Sequence, residues 1–282
     1  MSEKRGIHLD WADVMRAVLI CCLVYGHGSD GVGHSIIYLF HMPCFLILSG
    51  YLSSDDRFST KFLKRKASQL LIPYVVYELA TELLFYKTPF SRAVIYTLYG
   101  SGRIRGGVLW YLPSFFLTII VFSIIKDLLP HKKLVAALAF MLCLATVESN
   151  YCRLSFAPWN FDVVLIMLFY YGIGYLIRYS ILNDKQNDGK LVLIAVIVVL
   201  VTIACTLRNN ETYLFDMKKV EYKDILANVL YPIAFYVTVR AFSLLISKNQ
   251  MLLRLFSFIG NNTLSIMFLH IPVNAYINVT AQ

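Results

Sequence analysis

The sequence predicts an all-α fold, a polytopic transmembrane helix bundle of about nine to ten spans. Hydrophobic residues make up 58% of the 282 residues, and charged residues make up only 15%. The mean hydropathy of +0.63 is well above the value typical of soluble domains. The apolar residues fall in runs of about 20, the length that crosses a bilayer as a helix. These observations exclude an ordinary soluble domain and predict an integral, multi-pass membrane protein.

Nine apolar runs give the predicted spans in chain order. Polar connections separate them, and the clearest of these is the asparagine- and aspartate-rich stretch 183–189. The boundary at Gly260-Asn261-Asn262 is compatible with a broken or re-entrant helix as well as with a loop. The predicted spans are 11–28, 34–52, 68–86, 107–129, 134–149, 162–182, 190–208, 224–246 and 262–280.

The distribution of basic residues predicts the topology. Most of the 26 Lys and Arg residues fall in connections that are cytoplasmic if the N-terminus is cytoplasmic. This topology places Arg16 near the cytoplasmic face and His27, Asp30, His34 and His41 nearer the outer face. The first apolar run lacks a small-residue cleavage site, so we expect it to remain in the mature protein. The net charge of +9 then reflects the topology and an attraction to anionic membrane lipid, and it does not imply nucleic-acid binding.

The first two spans contain ionisable residues, which are costly inside a membrane and are therefore functional candidates. Arg16 and His27 are eleven residues apart, which is about three helical turns and about 16 Å of rise, so they share one face at different depths. His41 lies in the second span. An arginine suits an anionic ligand group, and a histidine suits proton transfer near neutral pH. The alternative is that each residue only hydrogen-bonds a neighbouring helix.

Acidic residues accompany these cations. Asp13 is three residues before Arg16 on the same helical face, so we expect it to orient the guanidinium group. Glu78 and Glu82 are four residues apart in the third span, where two unpaired carboxylates would repel each other. We expect them to be solvated, protonated or paired, with Arg103 or a histidine as the partner.

The connection 53–68 contains the densest basic cluster, which includes Lys64 and Arg65. One interpretation is an anchor on lipid headgroups, and the other is a phosphate-binding site, since guanidinium and ammonium groups are the usual partners of phosphate. Both can hold together. The six cysteines contain no Cys-x-x-Cys pair, so neither a disulfide framework nor a metal site is indicated.

Arg16 and His27 enclose ten residues, and short motifs follow throughout the chain. These motifs are Phe40-His41-Met42-Pro43, Ser49-Gly50-Tyr51-Leu52, Lys64-Arg65-Lys66, Leu71-Ile72-Pro73-Tyr74, Leu109-Trp110-Tyr111-Leu112 and Ser265-Ile266-Met267-Phe268-Leu269-His270. The pattern resembles integral-membrane acyltransferase family three, near its fucose 4-O-acetylase-like branch. The family usually carries about ten spans in a somewhat longer chain. We therefore expect one transmembrane acyltransferase domain over 1–282, shorter than usual by a final helix.

The resemblance implies an O-acetyltransferase of the bacterial inner membrane. The acyl donor would be cytoplasmic acetyl-coenzyme A, whose phosphates would be bound by Arg16, Lys64 and Arg65. The acceptor would be a hydroxyl of an extracytoplasmic or lipid-linked glycan. His27 is the expected general base; His41 is the second candidate for the base and the first for hydrogen-bonding the acyl oxygen. Direct transfer and a covalent acyl-histidine route both remain open.

The outer connection before the fourth span is the expected acceptor site. Arg103 and Arg105 would bind anionic glycan groups, and Trp110 and Tyr111 would stack on a sugar face; the alternative is an ordinary loop. Two other classes of function also remain open. A transporter or channel for a proton or small polar solute would use the same ionisable residues but predicts internally symmetric halves, which the sequence lacks. The second class is a membrane scaffold without catalytic activity, which predicts no ligand-sized cavity joining Arg16 to His27.

Overall fold

The computed structural model describes residues 9–28, 31–102, 107–152, 157–179, 189–209 and 213–280. Within these ranges the regular structure is helical, apart from one isolated antiparallel bridge between Asp216 and Glu221. The helices are α1 (Asp10–Gly28), α2 (Val32–Tyr38), α3 (His41–Tyr51), α4 (Thr60–Ala80), α5 (Phe90–Tyr99), α6 (Tyr111–Leu128), α7 (His131–Tyr151), α8 (Val164–Tyr179), α9 (Gly189–Asn209), α10 (Ile225–Ile246), α11 (Gln250–Asn261) and α12 (Thr263–Thr280). A π-helical turn, Thr81–Phe85, follows α4, and a 3-10 turn, Pro158–Val163, precedes α8.

The predicted polytopic all-α class is confirmed. Six segments in the described part of the chain have the length and apolarity of a membrane span. They are Val32–Tyr51, Tyr111–Leu128, His131–Tyr151, Pro158–Tyr179, Gly189–Asn209 and Ile225–Ile246. The pair Gln250–Asn261 and Thr263–His270 passes the same test as one segment bent by 60°. The count is thus six or seven by this measure, and the predicted nine to ten spans are not confirmed.

Several boundaries differ from the predicted ones. Helix α4, which corresponds to the third predicted span, begins at Thr60, eight residues before the predicted position 68. The reason is local, because the Ser59 side chain caps the helix by accepting a hydrogen bond from the Phe62 N–H at 3.1 Å. The basic cluster therefore lies in the first turns of a helix. The helix Phe90–Tyr99 was not predicted. Of the alternatives left open at Gly260, the 60° bend between α11 and α12 matches a broken or re-entrant helix.

The described residues belong to two compact units, and each is described by itself. The first unit comprises Met1–Asp55, Ile173–Tyr213 and Leu226–Met267. In it α11 lies against α1 so closely that a Cβ at Gly260 would overlap the main-chain carbonyl of Asp13. A Cβ at Gly174 in α8 would likewise overlap the carbonyl of Ile47 in α3. Glycine allows both backbones to approach, as is typical of helix pairs in membranes.

The second unit comprises Asp56–Gly172, Leu214–Ile225 and Phe268–Gln282. Its α4 packs against α6 and against α5, to which it is joined by a hydrogen bond from the Tyr74 hydroxyl to the Thr97 carbonyl at 2.7 Å. Near the start of α4, the Lys126 ammonium donates to the Asp56 carbonyl at 3.0 Å, and the Phe58 N–H donates to Asp127 at 2.7 Å. These contacts join the connection before α4 to the last turn of α6, and the charge distribution predicts both to lie at one membrane face.

Candidate active site

Three histidines of the first unit gather around one tyrosine. The ring of Tyr38 at the end of α2 stacks on His34 with centroids 4.0 Å apart. His41, at the start of α3, lies edge-on at 5.1 Å, and His27, near the end of α1, at 6.0 Å. The Tyr38 hydroxyl is 3.4 Å from Nδ1 of His27, which makes that hydrogen bond a weak one. The short connection between α1 and α2 thus brings His27 and His41 to one place.

Main-chain carbonyls determine which nitrogen of two of these rings carries a proton. Nδ1 of His41 is 2.8 Å from the Ile37 carbonyl, and Nδ1 of His34 is 2.6 Å from the Gly26 carbonyl. A carbonyl can only accept, so Nδ1 is the N–H nitrogen in both rings. Neutral His41 therefore carries its lone pair on Nε2, where it can accept a proton. It can donate from Nε2 only as an imidazolium.

The predicted pairing of Asp13 with Arg16 is confirmed. Nη1 of Arg16 donates to Oδ1 of Asp13 at 2.6 Å, within one turn of α1. The Asp13 side chain is only 4% exposed, whereas the Arg16 side chain is 35% exposed. A charge-assisted hydrogen bond to a buried carboxylate restricts the guanidinium to one orientation. The remaining N–H groups of the guanidinium fork suit an anionic group such as a phosphate.

Arg16 and His27 lie on one uninterrupted helix, since α1 is helical from Asp10 to Gly28. Their eleven-residue separation therefore corresponds to about 16 Å of rise on nearly the same face. Each end of the helix has its own close contact: Asp13 with Gly260, and Gly26 with Ile37, whose Cγ2 would be 2.9 Å from a Cβ at 26. The separation of the two residues along α1 is thus held by contacts at both ends, and their difference in membrane depth stays a prediction.

Lys64 and Arg65 lie in the first turns of α4, in the second unit. Lys64 is exposed, and Arg65 forms an ion pair with Asp56 at 2.5 Å in which both side chains are about half exposed. The Arg65 guanidinium also lies 5.6 Å from the centre of the Phe62 ring. Burial, and secondly the charge of Arg65, lower the pKa of the adjacent Lys66. A phosphate that binds Arg65 must share this guanidinium with Asp56.

The structure describes two of the four predicted acceptor residues, Trp110 and Tyr111. Arg103 and Arg105 lie outside the described residues. Trp110 is only 7% exposed, and its ring lies against Gly102, where a Cβ would be 2.7 Å away. Tyr111 is half-buried and stacks on Phe115 with centroids 5.2 Å apart. Trp110 thus offers little open face to a sugar in this conformation, and the stacking role of both residues stays a prediction.

Glu78 in α4 and Glu82 in the following π turn do not form a regular pair on one α-helical face. Between Glu78 and Glu82 the backbone changes from α-helix to the π turn Thr81–Phe85. Glu82 is buried and accepts a hydrogen bond from the Thr88 hydroxyl at 2.6 Å. One partner of Glu82 is therefore a hydroxyl; because Arg103 lies outside the described residues, the expected pairing with an arginine or a histidine stays a prediction.

Sequence reasoning missed two residues of the first unit. Tyr38 lies four residues after His34 and three before His41, a helical spacing that could have indicated a shared cluster. Arg240 is one of the basic residues that the topology assigns to the cytoplasmic side, yet its side chain is buried and its guanidinium lies 4.8 Å from the centre of the Trp11 ring. Nothing in the apolar run around Arg240 distinguishes a buried arginine from one at the membrane surface.

The comparisons with curated proteins and with solved structures found no match. A comparison with protein families matches residues 9–280 to the acyltransferase domain of acyltransferase family 3. The match includes α1, α2 and α3 with the Arg16–Asp13 pair and the histidines around Tyr38. Because it covers nearly the whole length of the chain, the protein belongs to acyltransferase family 3, a family of membrane acyltransferases.

Proposed function

We propose that this membrane acyltransferase moves an acetyl group from cytoplasmic acetyl-coenzyme A to a hydroxyl of an extracytoplasmic or lipid-linked glycan. The observation that carries the proposal is the arrangement in α1, where Arg16 is fixed by Asp13 and His27 lies on the same helix beside Tyr38. A cation for the donor and a base for the acceptor are the two groups that such a transfer requires. In this proposal acetyl-coenzyme A is a substrate.

His27 acts as the general base. In its Nδ1–H tautomer the ring donates to the Tyr38 hydroxyl, which leaves Nε2 to take the proton of the acceptor hydroxyl. The acceptor oxygen then attacks the thioester carbonyl and forms a tetrahedral oxyanion. Collapse of this intermediate breaks the C–S bond, forms the new ester, and releases coenzyme A thiolate, which recovers the proton from His27. His27 is exposed, so an acceptor can reach it.

His41 is the competing base. Its Nδ1–H is engaged with the Ile37 carbonyl, so the neutral ring has the same basic nitrogen, Nε2, in a fixed orientation. The same contact limits the expected role as donor to the acyl oxygen, because with Nδ1–H engaged only the imidazolium can donate from Nε2. The hydrogen bond thus favours a base role for His41 over an oxyanion role, and substitution of each histidine separates the two candidates.

The donor is held by cations at the cytoplasmic side. Arg16 contacts one anionic group of coenzyme A, and Lys64 and Arg65 contact its phosphates. The rise of about 16 Å from Arg16 to His27 is comparable to the reach of an extended pantetheine arm. The thioester can therefore be presented at His27 while the phosphates remain near the cytoplasmic face, on the sidedness predicted from the basic residues.

The deciding experiment uses the purified protein in lipid vesicles with acetyl-coenzyme A labelled in the acetyl group. We expect alkali-labile label to appear in a cell-envelope glycan extract supplied on the opposite face of the vesicle. Release of coenzyme A should accompany it in a one-to-one ratio. Transfer of label to amines only, or no transfer with acetyl, propionyl or longer acyl donors, would contradict the O-acetyltransferase assignment. Uptake of a solute without acyl transfer would favour the transporter alternative.

A further inference from the structure

Three connections of the second unit meet in one hydrogen-bonded junction at Asn160. This side chain is fully buried; its Oδ1 accepts from the Gly102 N–H at 3.0 Å, and its Nδ2 donates to the Lys218 carbonyl at 3.5 Å. Asn160 thus joins the stretch that follows α5, the 3-10 turn before α8, and the segment before α10. The charge distribution predicts all three connections to lie on the outer face, where a glycan acceptor would approach.

The junction contains an unusual backbone. Trp159 (φ 55°, ψ 19°) and Asn160 (φ 46°, ψ 45°) are consecutive residues in the left-handed region, which side-chain-bearing residues seldom occupy. Surrounding contacts hold them there. The Ser114 hydroxyl donates to the Trp159 carbonyl at 2.7 Å, and the Trp159 indole N–H donates to the Leu98 carbonyl at 2.9 Å. Rare backbone conformations that several surrounding contacts maintain are concentrated at ligand-binding sites.

The main chain next to Trp159 leaves room for its indole ring at Gly100. Gly100 is itself left-handed (φ 62°), and a Cβ there would be 2.7 Å from Cδ1 of Trp159 and 2.9 Å from the Tyr74 hydroxyl. Only glycine allows the indole edge to lie so close. Trp159 nevertheless remains half-buried, in contrast to Trp110, whose ring is covered. One edge of the Trp159 ring is therefore fixed while part of its surface stays accessible.

A membrane anchor explains these features poorly. An interfacial tryptophan lies with its apolar body in the lipid and its polar N–H in the wet headgroup layer, and it needs no special backbone. Here the N–H is used internally by the Leu98 carbonyl, and the backbone is held in a rare conformation. These two features orient a rigid aromatic surface in advance, which lowers the entropy cost of binding a ligand.

We propose that Trp159 is the aromatic surface on which a sugar ring of the acceptor stacks. The C–H face of a pyranose is apolar and its rim is polar, so it matches an exposed indole face bordered by main-chain groups. Asn160 is a positioning residue that keeps this face in place through Gly102 and Lys218. The inference rests on the proposed function for the glycan nature of the acceptor, and it assigns a contact that Trp110 was expected to make.

The test is a saccharide titration of the purified full-length protein in lipid nanodiscs, read by tryptophan emission. The probes are the methyl glycosides of glucose, galactose, fucose and N-acetylglucosamine. We expect at least one of them to change the wild-type emission saturably, and Trp159→Phe to lose that change. Phe161→Leu, which alters an exposed aromatic residue of the same turn, should keep it. An unchanged response in Trp159→Phe, or no wild-type response to any probe, would overturn the assignment.

A kinetic arm separates this inference from the proposed function. With an acceptor that the wild type acetylates, Trp159→Ala should raise the acceptor KM by about threefold to tenfold and leave the KM for acetyl-coenzyme A unchanged. Equal acceptor KM values, with weaker membrane association of the variant, would make Trp159 a lipid anchor and overturn the inference alone. A saccharide response without any acyl transfer by the wild type would overturn the proposed function and support the sugar contact.

Discussion

Gly260 of α11 lies against the main-chain carbonyl of Asp13 in α1, with no room for a Cβ between them. Because the obstacle is backbone, a side-chain rotation cannot relieve it. Any larger residue at 260 must separate the two helices and move the turn that holds Asp13 and Arg16. The close approach of α11 is therefore a condition for the geometry of this ion pair.

Gly260→Ala is expected to lower both stability and acyl transfer. Overpacking of this kind typically costs about 1 to 3 kcal/mol, which should appear as a lower Tm in detergent. Gly174→Ala is the matched control, since it also overlaps backbone, at Ile47, but does not touch the Asp13 turn. At equal loss of stability, Gly260→Ala should lose more activity than Gly174→Ala. Equal activity losses would show that the contact serves packing alone.

The two candidate bases are separated by histidine substitutions. His27→Ala should reduce acyl transfer by about 10² to 10⁴ without impairing membrane insertion, because that is the usual cost of losing a general base. Retained glycan acylation would exclude His27 from this role. His131→Ala, which removes an exposed histidine at the start of α7, is the control and should be neutral.

His41→Asn tests the second ring more sharply than His41→Ala. The asparagine amide can replace Nδ1–H as donor to the Ile37 carbonyl, while the basic Nε2 is lost. If His41 supplies only structure, His41→Asn should be active and His41→Ala impaired. If its Nε2 takes part in the chemistry, both variants should lose activity. Rates from single-turnover transfer, with expression and Tm measured in parallel, decide between these outcomes.

Donor binding is tested at the Arg65–Asp56 pair. Arg65→Ala should raise the Kd for acetyl-coenzyme A by about tenfold in a calorimetric titration, and Arg65→Lys should restore part of the affinity, since the bidentate fork is lost. Asp56→Ala is the informative control. If Arg65 acts only by holding Asp56, both alanine variants weaken binding equally; if Arg65 binds phosphate, Asp56→Ala keeps or improves affinity. Equal affinity in wild type and the Lys64/Arg65 double alanine variant would leave the cluster as a lipid anchor.

Local sequence signals predicted the features that are determined within a single helix. The apolar runs predicted the all-α membrane class, and the three-residue spacing predicted the Asp13–Arg16 pair. Gly260-Asn261-Asn262 indicated a boundary where a broken helix was one of the alternatives. The earlier start of α4 could also have been predicted from the sequence, because serine is a favoured N-cap residue and Ser59 precedes the helix. These features follow from periodicity and from the chemistry of single residues.

Features that depend on tertiary contact were not predictable. The gathering of His27 with His41 around Tyr38 requires the chain to reverse between α1 and α2, which spacing along one helix does not encode. Trp110 and Trp159 look equally suitable as sugar platforms in the sequence. The two rings differ in exposure in the fold. Trp110 is buried with its ring against Gly102, whereas a left-handed backbone holds Trp159 half-buried. Asparagine is enriched in that conformation, so Asn160 carries a weak signal for it, but Trp159 carries none.

The shared helix of Arg16 and His27 is tested by an insertion. One alanine placed between Ile20 and Cys21 rotates the two halves of α1 by about 100° and lengthens it by about 1.5 Å. The helix cannot absorb this change at either end. Its N-terminal half is held by Gly260 against Asp13, and its C-terminal half by Gly26 against Ile37 and by the His34 hydrogen bond to the Gly26 carbonyl.

One of these two anchoring contacts must therefore break, and Arg16 and His27 can no longer face the same ligand. We expect a membrane-inserted protein that transfers no acyl group, with insertion measured by protease protection and transfer by labelled acetyl-coenzyme A. An alanine inserted between Leu129 and Pro130, outside the helices, is the control and should stay active. Inserting four alanines at the first position restores the face to within about 40° but adds about 6 Å, so it separates the effect of rotation from that of distance. Full activity of the single-alanine variant would overturn the shared path from Arg16 to His27, even though the enzyme class would stand.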